Sequence, residues 1–289
     1  MGFLFSKKKI EKPKLFSILA VGNTVVGKTA LVKCFESIYK HEESPMKSKN
    51  VLITGSSHGI GAAIARRFAA EGMTLVLNCK TDAASLEALA RELRDTYHVT
   101  VLTYVCDVAD DCAVKKMCDD IAQTIGGIDI LINNAGISKI CLLTDMSIAD
   151  WNDMIGTNLT SVFSCTRHVL DHMIHVKNGH IINISSVWGN VGASCEVAYS
   201  TTKGGINAFT KALAKELAPS NIKVNAIACG IIDTRMNAEF SAEEKQILES
   251  EVPIGRFGRP DEVADFAWQL ANAPDYLTGQ VITLDGGWQ

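Results

Sequence analysis

The chain has 289 residues, 47% of them hydrophobic and 21% charged, a composition able to bury a sizeable core. Its formal net charge of −4 argues against nucleic-acid binding by the whole chain, and no apolar run reaches the roughly 18 residues of a membrane-crossing helix. The nine cysteines form no C-x-x-C pair, so zinc ligation or a disulfide framework is not expected, and free thiols in a reducing cytoplasm are.

The charge is uneven. Of 28 basic and 32 acidic residues, eight lysines and four acids lie in the first 45, which leaves 20 and 28 for the rest. No apolar stretch with a small-residue cleavage site follows Met1, so no secretory signal is expected. MGFLFS matches M-G-x-x-x-[ST], with Gly2 and Ser6 placed for myristoylation and lysines following. Membrane attachment is expected only if Gly2 carries that acyl chain. FSILAVG (16–22) reads as a strand, GNTVVGKTA (22–30) as a phosphate loop and TALVKCFESIYK (29–40) as a helix. Residues 15–35 resemble the opening of small Ras- and Arf-like GTPases, in which Lys28 would reach phosphates and Thr29 would hold magnesium. No N-K-x-D follows, and one strand with one helix cannot close a core. Residues 1–45 therefore read as a short βα extension, and the polar run around Pro45 as a linker.

From Met46 a longer alternation begins. Strands are expected at 51–55, 74–78, 99–105, 128–136, 180–186, 222–228 and 280–286. Helices are expected at 62–72, 85–97, 114–127, 151–174, 198–218 and 260–271. Strands alternating with helices predict an α/β fold: a Rossmann-type, doubly wound parallel sheet forming a single enzyme domain over 46–289.

TGSSHGIG (54–61) joins the first strand of that unit to its first helix. Gly55 permits a tight turn, Gly59 lets backbone approach a pyrophosphate, and Gly61 lets the helix pack close; Ser56, Ser57, His58 and Ile60 complete the turn. The helix start offers free N–H groups to phosphate. At the end of the second strand, where an acid would grip the ribose of NAD, the residues are Asn78, Cys79 and Lys80. Lys80, with His58, suits a ribose 2′-phosphate, so NADP(H) is expected ahead of NAD(H). Tyr199 and Lys203 are four apart and share a helix face. The lysine charge is expected to lower the phenol pKa, readying Tyr199 for proton transfer, with Ser186 bonding the substrate oxygen.

Thr54–Gly61, NNAG (133–136), Asn158, Ser186, Tyr199 and Lys203, in that order, resemble the short-chain dehydrogenase/reductases over about 46–289, and in flavour their 3-oxoacyl-(acyl-carrier-protein) reductases. The resemblance implies a catalytic set of Asn158, Ser186, Tyr199 and Lys203, with Lys203 also on the nicotinamide ribose. Asn158 would fix a water linking the lysine to solvent. It places Asp107 and Val108 beside the adenine. Asn134, Ala135 and Gly136 pass beneath the adenosine ribose, and Gly230, Ile232 and Thr234 lie over the nicotinamide. Cys229-Gly230 stands where the family has Pro-Gly, which predicts a looser loop. Residues 187–197 and 233–255 are expected to form pocket wall and lid, with Trp188 and Met236 as candidate linings. The resemblance further implies a homodimer or homotetramer, no metal, and an acyl-thioester or other small-molecule substrate. Acyl carrier protein is a possible partner. Lys177 is the candidate cation for it, although Ser220 occupies a place often held by arginine. Steroid, sugar and other alcohol substrates stay open.

Overall fold

Seven apolar runs become seven strands of one sheet, and the interior strands are buried throughout because helices cover both faces. The structure, a computed structural model, describes residues 49–237 and 240–289. The phosphate-loop reading of 22–30, with Lys28 and Thr29, and the acylation reading of Gly2 lie outside the described residues.

In chain order the elements are β1 (Asn50–Ile53), α1 (Gly59–Ala70), β2 (Thr74–Cys79), α2 (Ala83–Tyr97), β3 (Val101–Val105), α3 (Asp111–Ile125) and β4 (Ile130–Asn133). There follow α4 (Ile148–Ile155), a π-helical turn (Gly156–Thr160), α5 (Ser161–Val176), β5 (Gly179–Ser186), α6 (Trp188–Val191) and α7 (Val197–Leu217). The chain closes with β6 (Ile222–Cys229), α8 (Ala242–Glu251), α9 (Pro260–Ala271) and β7 (Val281–Leu284). The strands pair in the order β3-β2-β1-β4-β5-β6-β7, all parallel. The strand order reverses beside β1, so a crevice opens at the carboxyl ends of β1 and β4, the usual ligand position in such sheets.

Alternation along the strands splits the core into two layers. Val51, Ile53, Leu75 and Leu77 pack with Phe68 of α1, Leu89 of α2 and Val263 of α9. Leu52, Val76 and Leu131 face the other way, against Val114 of α3, Val169 of α5 and Leu217 of α7. Among the described residues no helix is long and apolar enough to cross a membrane.

Two local features depart from the expected pattern. The single helix expected over 151–174 is broken by the π-helical turn Gly156–Thr160, which carries Asn158 fully buried at its centre. Such widened turns re-aim a side chain without ending the helix, and periodicity does not register them. Helix α8 falls inside a stretch read only as lid. Its start is marked by a capping box, Ser241 with Glu244, that is legible in the sequence as S-x-x-E.

Candidate active site

The turn after β1 is held from within. Gly55 adopts φ +62°, and a Cβ there would stand 2.8 Å from Ala135 Cα; a Cβ on Gly61 would stand 2.5 Å from the Gly55 oxygen. Neither position admits a side chain. Thr54 Oγ1 accepts the N–H groups of Asn134 and Ala135, each at 3.0 Å, and Asn134 Nδ2 donates to the Thr54 and Gly55 oxygens at 2.9 Å. Ser56 is buried and bonds both backbone groups of Asn78. Asn78 is buried as well. Its Nδ2 donates to Cys106 O at 3.1 Å and Tyr104 O at 3.3 Å, and Gly55 N donates to its Oδ1. Asn78, Ser56 and Asn134 thus brace the turn from inside, and the side chain of Val108 joins the core. What faces outward is the start of α1, where His58 makes no side-chain cap. The first N–H groups of that helix are left for an anion.

A charged rim surrounds that helix end. Lys80 pairs with Asp107 at 2.7 Å, and His58 with Asp82 at 2.9 Å. The bond to Asp107 tightens the hold of Lys80 on its proton, so the ammonium is charged throughout the neutral range. The loop after β6 closes the other side. A Cβ on Gly59 would lie 3.3 Å from Thr234 Cγ2, which places Thr234 across the turn. The loop that Cys229 is expected to loosen is tied to its neighbours at several points. Gly230 N donates to Leu284 O at 3.0 Å, a Cβ on Gly230 would stand 2.7 Å from the Asp285 Cβ, and Ile232 bridges Gly258. Strand β7 and Gly258 hold what a proline ring would have stiffened.

Ser186 is the last residue of β5, Tyr199 lies in the first turn of α7 and Lys203 one turn on. Trp188 N donates to Ser186 Oγ at 3.2 Å, and Ser186 stands close enough to the Tyr199 hydroxyl to favour its ionised form. Strand alternation sends Ser185 to the opposite face, where its Oγ donates to Asn207 Oδ1 at 2.6 Å. Lys203 is buried at 4% exposure, donates to Ile184 O at 2.8 Å, and sits 5.5 Å from the Tyr199 ring centre. Burial pushes its ammonium down to about 8. The phenol departs from the sequence expectation: burial raises the Tyr199 pKa, and the Ser186 hydrogen bond only partly offsets it. Desolvation is the largest influence on the neutral phenol, and the lysine acts on whatever negative charge develops there.

Asn158 joins this group from the side. Its Oδ1 accepts Ile137 N at 2.8 Å, and its Nδ2 donates to Ile137 O at 2.9 Å and Thr202 Oγ1 at 3.2 Å. The side chain thus ties the loop after β4 to α7. A Cβ on Gly136 would lie 3.4 Å from Asn158 Oδ1 and 3.7 Å from Lys203 Nζ, so Gly136 forms the floor shared by both.

Lys177 does not stand at this opening. It follows α5 and precedes Gly179, the first residue of β5, whereas Ser186 is the last. The two lie at opposite ends of β5, an interior strand that spans about 23 Å at some 3.3 Å per residue. Ser220, between α7 and β6, lies at the Lys177 end. Met236 is exposed. Trp188 packs on Trp288, their ring centres 4.8 Å apart and tilted by 60°. Sequence reasoning missed Trp288, and also the bond from Ser138 Oγ to Glu196 Oε2 at 3.0 Å. Both are long-range contacts with no sequence signature.

A profile described as short chain dehydrogenase matches residues 49–245. The chain is 42% identical over 246 residues to the 3-oxoacyl-(acyl-carrier-protein) reductase FabG of Aquifex aeolicus (strain VF5), covering 85% of this chain and 99% of the relative. It is 40% identical over 242 residues to the uncharacterized oxidoreductase YmfI of Bacillus subtilis (strain 168), covering 83% and 99%. It is also 40% identical over 243 residues to the 3-oxoacyl-(acyl-carrier-protein) reductase FabG of Thermotoga maritima, covering 84% and 98%.

The role of Asn158 in tying loop to helix is open to measurement. Asn158→Ala strands both backbone groups of Ile137, and urea unfolding should show a loss of about 1–3 kcal/mol. An unchanged midpoint and slope would mean that the clamp contributes nothing.

Proposed function

The chain belongs to the short chain dehydrogenase family, and from that premise we propose that residues 46–289 form an NADP(H)-dependent reductase that converts a carbonyl to an alcohol, with a 3-oxoacyl thioester as substrate. The observation that carries the reading is the convergence of Ser186, Tyr199 and the buried Lys203 ammonium, 5.5 Å from the Tyr199 ring centre, at the carboxyl end of the sheet, where α1 begins with uncapped N–H groups. The names of the Aquifex and Thermotoga relatives support the acyl-thioester substrate. A second reading, another ketone or alcohol, draws on the Bacillus relative, equally similar and named only as an oxidoreductase, and on the distance of Lys177 from the opening.

The turn fits a dinucleotide. Its two crowded glycines leave bare backbone, and the pyrophosphate would lie on the start of α1 near Ser57, His58 and Ile60. Lys80 and His58 would meet a ribose 2′-phosphate, which must draw them from Asp107 and Asp82. Ala135 and Gly136 would line the path of the cofactor, and Ile232 and Thr234 would cover its far end. The bound nicotinamide supplies a hydride. The remaining work falls to the protein. Ser186 orients the carbonyl oxygen, and Tyr199, kept protonated by burial, gives that oxygen a proton. Lys203 stabilises the tyrosinate left behind and would hold the nicotinamide ribose. Asn158 positions the loop that bounds this space. Trp188, backed by Trp288, forms an apolar wall suited to an acyl chain. The family resemblance supports a homodimer or homotetramer through the helices around Asn158 and Tyr199, and the exposed Phe163 on α5 is consistent with it. The free thiols of the described residues suit a reducing, cytoplasmic compartment.

Two outcomes test this. Tyr199→Phe should lower reductive turnover by roughly 10²–10⁴-fold with NADPH affinity retained. In the unmodified enzyme, kcat/KM for reduction should fall as pH rises through about 8, because Lys203 loses its charge there. Undiminished turnover of the variant would end the assignment. Separately, Lys80→Ala should weaken NADPH binding by about tenfold and leave NADH unchanged. An equal loss for both would show that Lys80 does not meet the 2′-phosphate.

A further inference from the structure

Two loops cross beside Tyr199: the one leaving β4 after Gly136, and the one entering α7 from α6. They are joined at two points. Ser138 Oγ donates to Glu196 Oε2 at 3.0 Å, and Cys141 N donates to Cys195 O at 2.9 Å. The second contact places two cysteines from distant parts of the sequence backbone to backbone. Both are free and partly exposed, whereas Cys79, Cys118, Cys165 and Cys229 are buried. A backbone N–H···O=C bond of 2.9 Å keeps the two Cα atoms within roughly 7 Å of each other on standard bond lengths. Disulfides span Cα separations of about 4.4–6.8 Å, and the Cys195 thiol, now 3.8 Å from the Ser194 hydroxyl, would turn toward Cys141 to pair. Cys195 is also held in an unusual shape. It occupies the third position of a turn closed by Glu196 N on Ala193 O at 3.3 Å, with φ +63°. Glycine is the residue that normally takes that position, and a side chain there persists only when its surroundings hold it.

We propose that Cys141 and Cys195 form a reversible disulfide across the mouth of the site, installed by a low-molecular-weight disulfide of the glutathione type. One protein thiol loses its proton and attacks the small disulfide, breaking its S–S bond, forming a mixed disulfide and releasing one small thiol. The second protein thiol, on losing its proton, attacks the protein sulfur of that mixed disulfide and releases the other small thiol. The two protein thiols are oxidised and the small disulfide is reduced to two thiols, so electrons and protons balance. The new bond locks the loop after β4 to the loop before α7. Oxidation therefore narrows access to Ser186 and Tyr199, and reduction restores it. The gating rests on the reductase reading; the covalent bond does not.

The full chain is equilibrated in buffers of increasing oxidised-to-reduced glutathione ratio, quenched with an alkylating agent, digested with trypsin and analysed by mass spectrometry. The expected product joins peptide 140–167 to peptide 178–203 with the loss of two hydrogens. Fragmentation assigns the bond to Cys141 rather than to the buried Cys165 of the same peptide. Cys141→Ser should lose the product. Recovery of Cys141 and Cys195 as separate thiols or separate glutathione adducts at every ratio would overturn the proposal. In parallel, reductive turnover should fall as the cross-link accumulates, return with a dithiol reductant and be insensitive to the ratio in Cys141→Ser. A cross-link that leaves turnover untouched would overturn the gating while the covalent site stands. Absence of turnover under reducing conditions would count against the reductase reading alone.

Discussion

One buried ammonium organises the site. Lys203 has almost no contact with water, one backbone acceptor in Ile184 and one aromatic ring within reach. Burying a charge with so little compensation is expensive, and the cost appears as a pKa brought down to about 8. The surrounding elements serve that placement. Helix α7 runs from Tyr199 through Lys203 so that the two share a face, and β5 ends at Ser186 beside the phenol. Gly136 lines the floor beneath both the ammonium and Asn158. The π-helical turn brings Asn158 against the same floor. In the proposed reaction this cost has a return, because the lysine gains its partner only when negative charge reaches Tyr199.

The same trade recurs at the proposed cofactor end. Thr54, Ser56, Asn78 and Asn134 are consumed inside the protein, holding the glycine turn rigid. That rigidity leaves the start of α1 uncapped and aimed outward. Lys80 rests on Asp107, so a phosphate would replace one partner with another rather than capture a bare cation, and His58 bonds Asp82 beside it. Selectivity for the phosphorylated cofactor then depends on a difference between two ion pairs, and at an exposed rim such differences are modest.

Much of this was legible in the sequence because it is local. Strand–helix alternation gave the sheet its class, the glycine spacing marked the turn, and the Tyr199–Lys203 spacing placed both on one helix face. The rest depends on burial and on contacts between distant segments. A four-residue spacing shows that a lysine stands beside a tyrosine, but only the packed structure shows that desolvation outweighs its charge at the phenol. Asn78 and Asn134 read as polar groups near a ligand, and folding turns both inward. Lys177 reads as a site residue from its place in the chain, and the fold sets it at the opposite end of β5 from Ser186. The Trp188–Trp288 pair and the crossing of Cys141 with Cys195 join segments that no periodicity connects. Residues 46–289 are proposed as the enzyme unit, and the extension before them lies outside both the described residues and the family match.

The central claim, a carbonyl reductase drawing on NADP(H), is tested most directly by following consumption of the reduced nicotinamide with a panel of 3-oxoacyl thioesters, simple ketones, steroids and sugars, each with NADPH and with NADH. The account predicts stoichiometric conversion of a 3-oxoacyl thioester to its 3-hydroxy form, faster with NADPH. If no carbonyl compound is reduced, and no corresponding alcohol oxidised, with either cofactor, the account is contradicted.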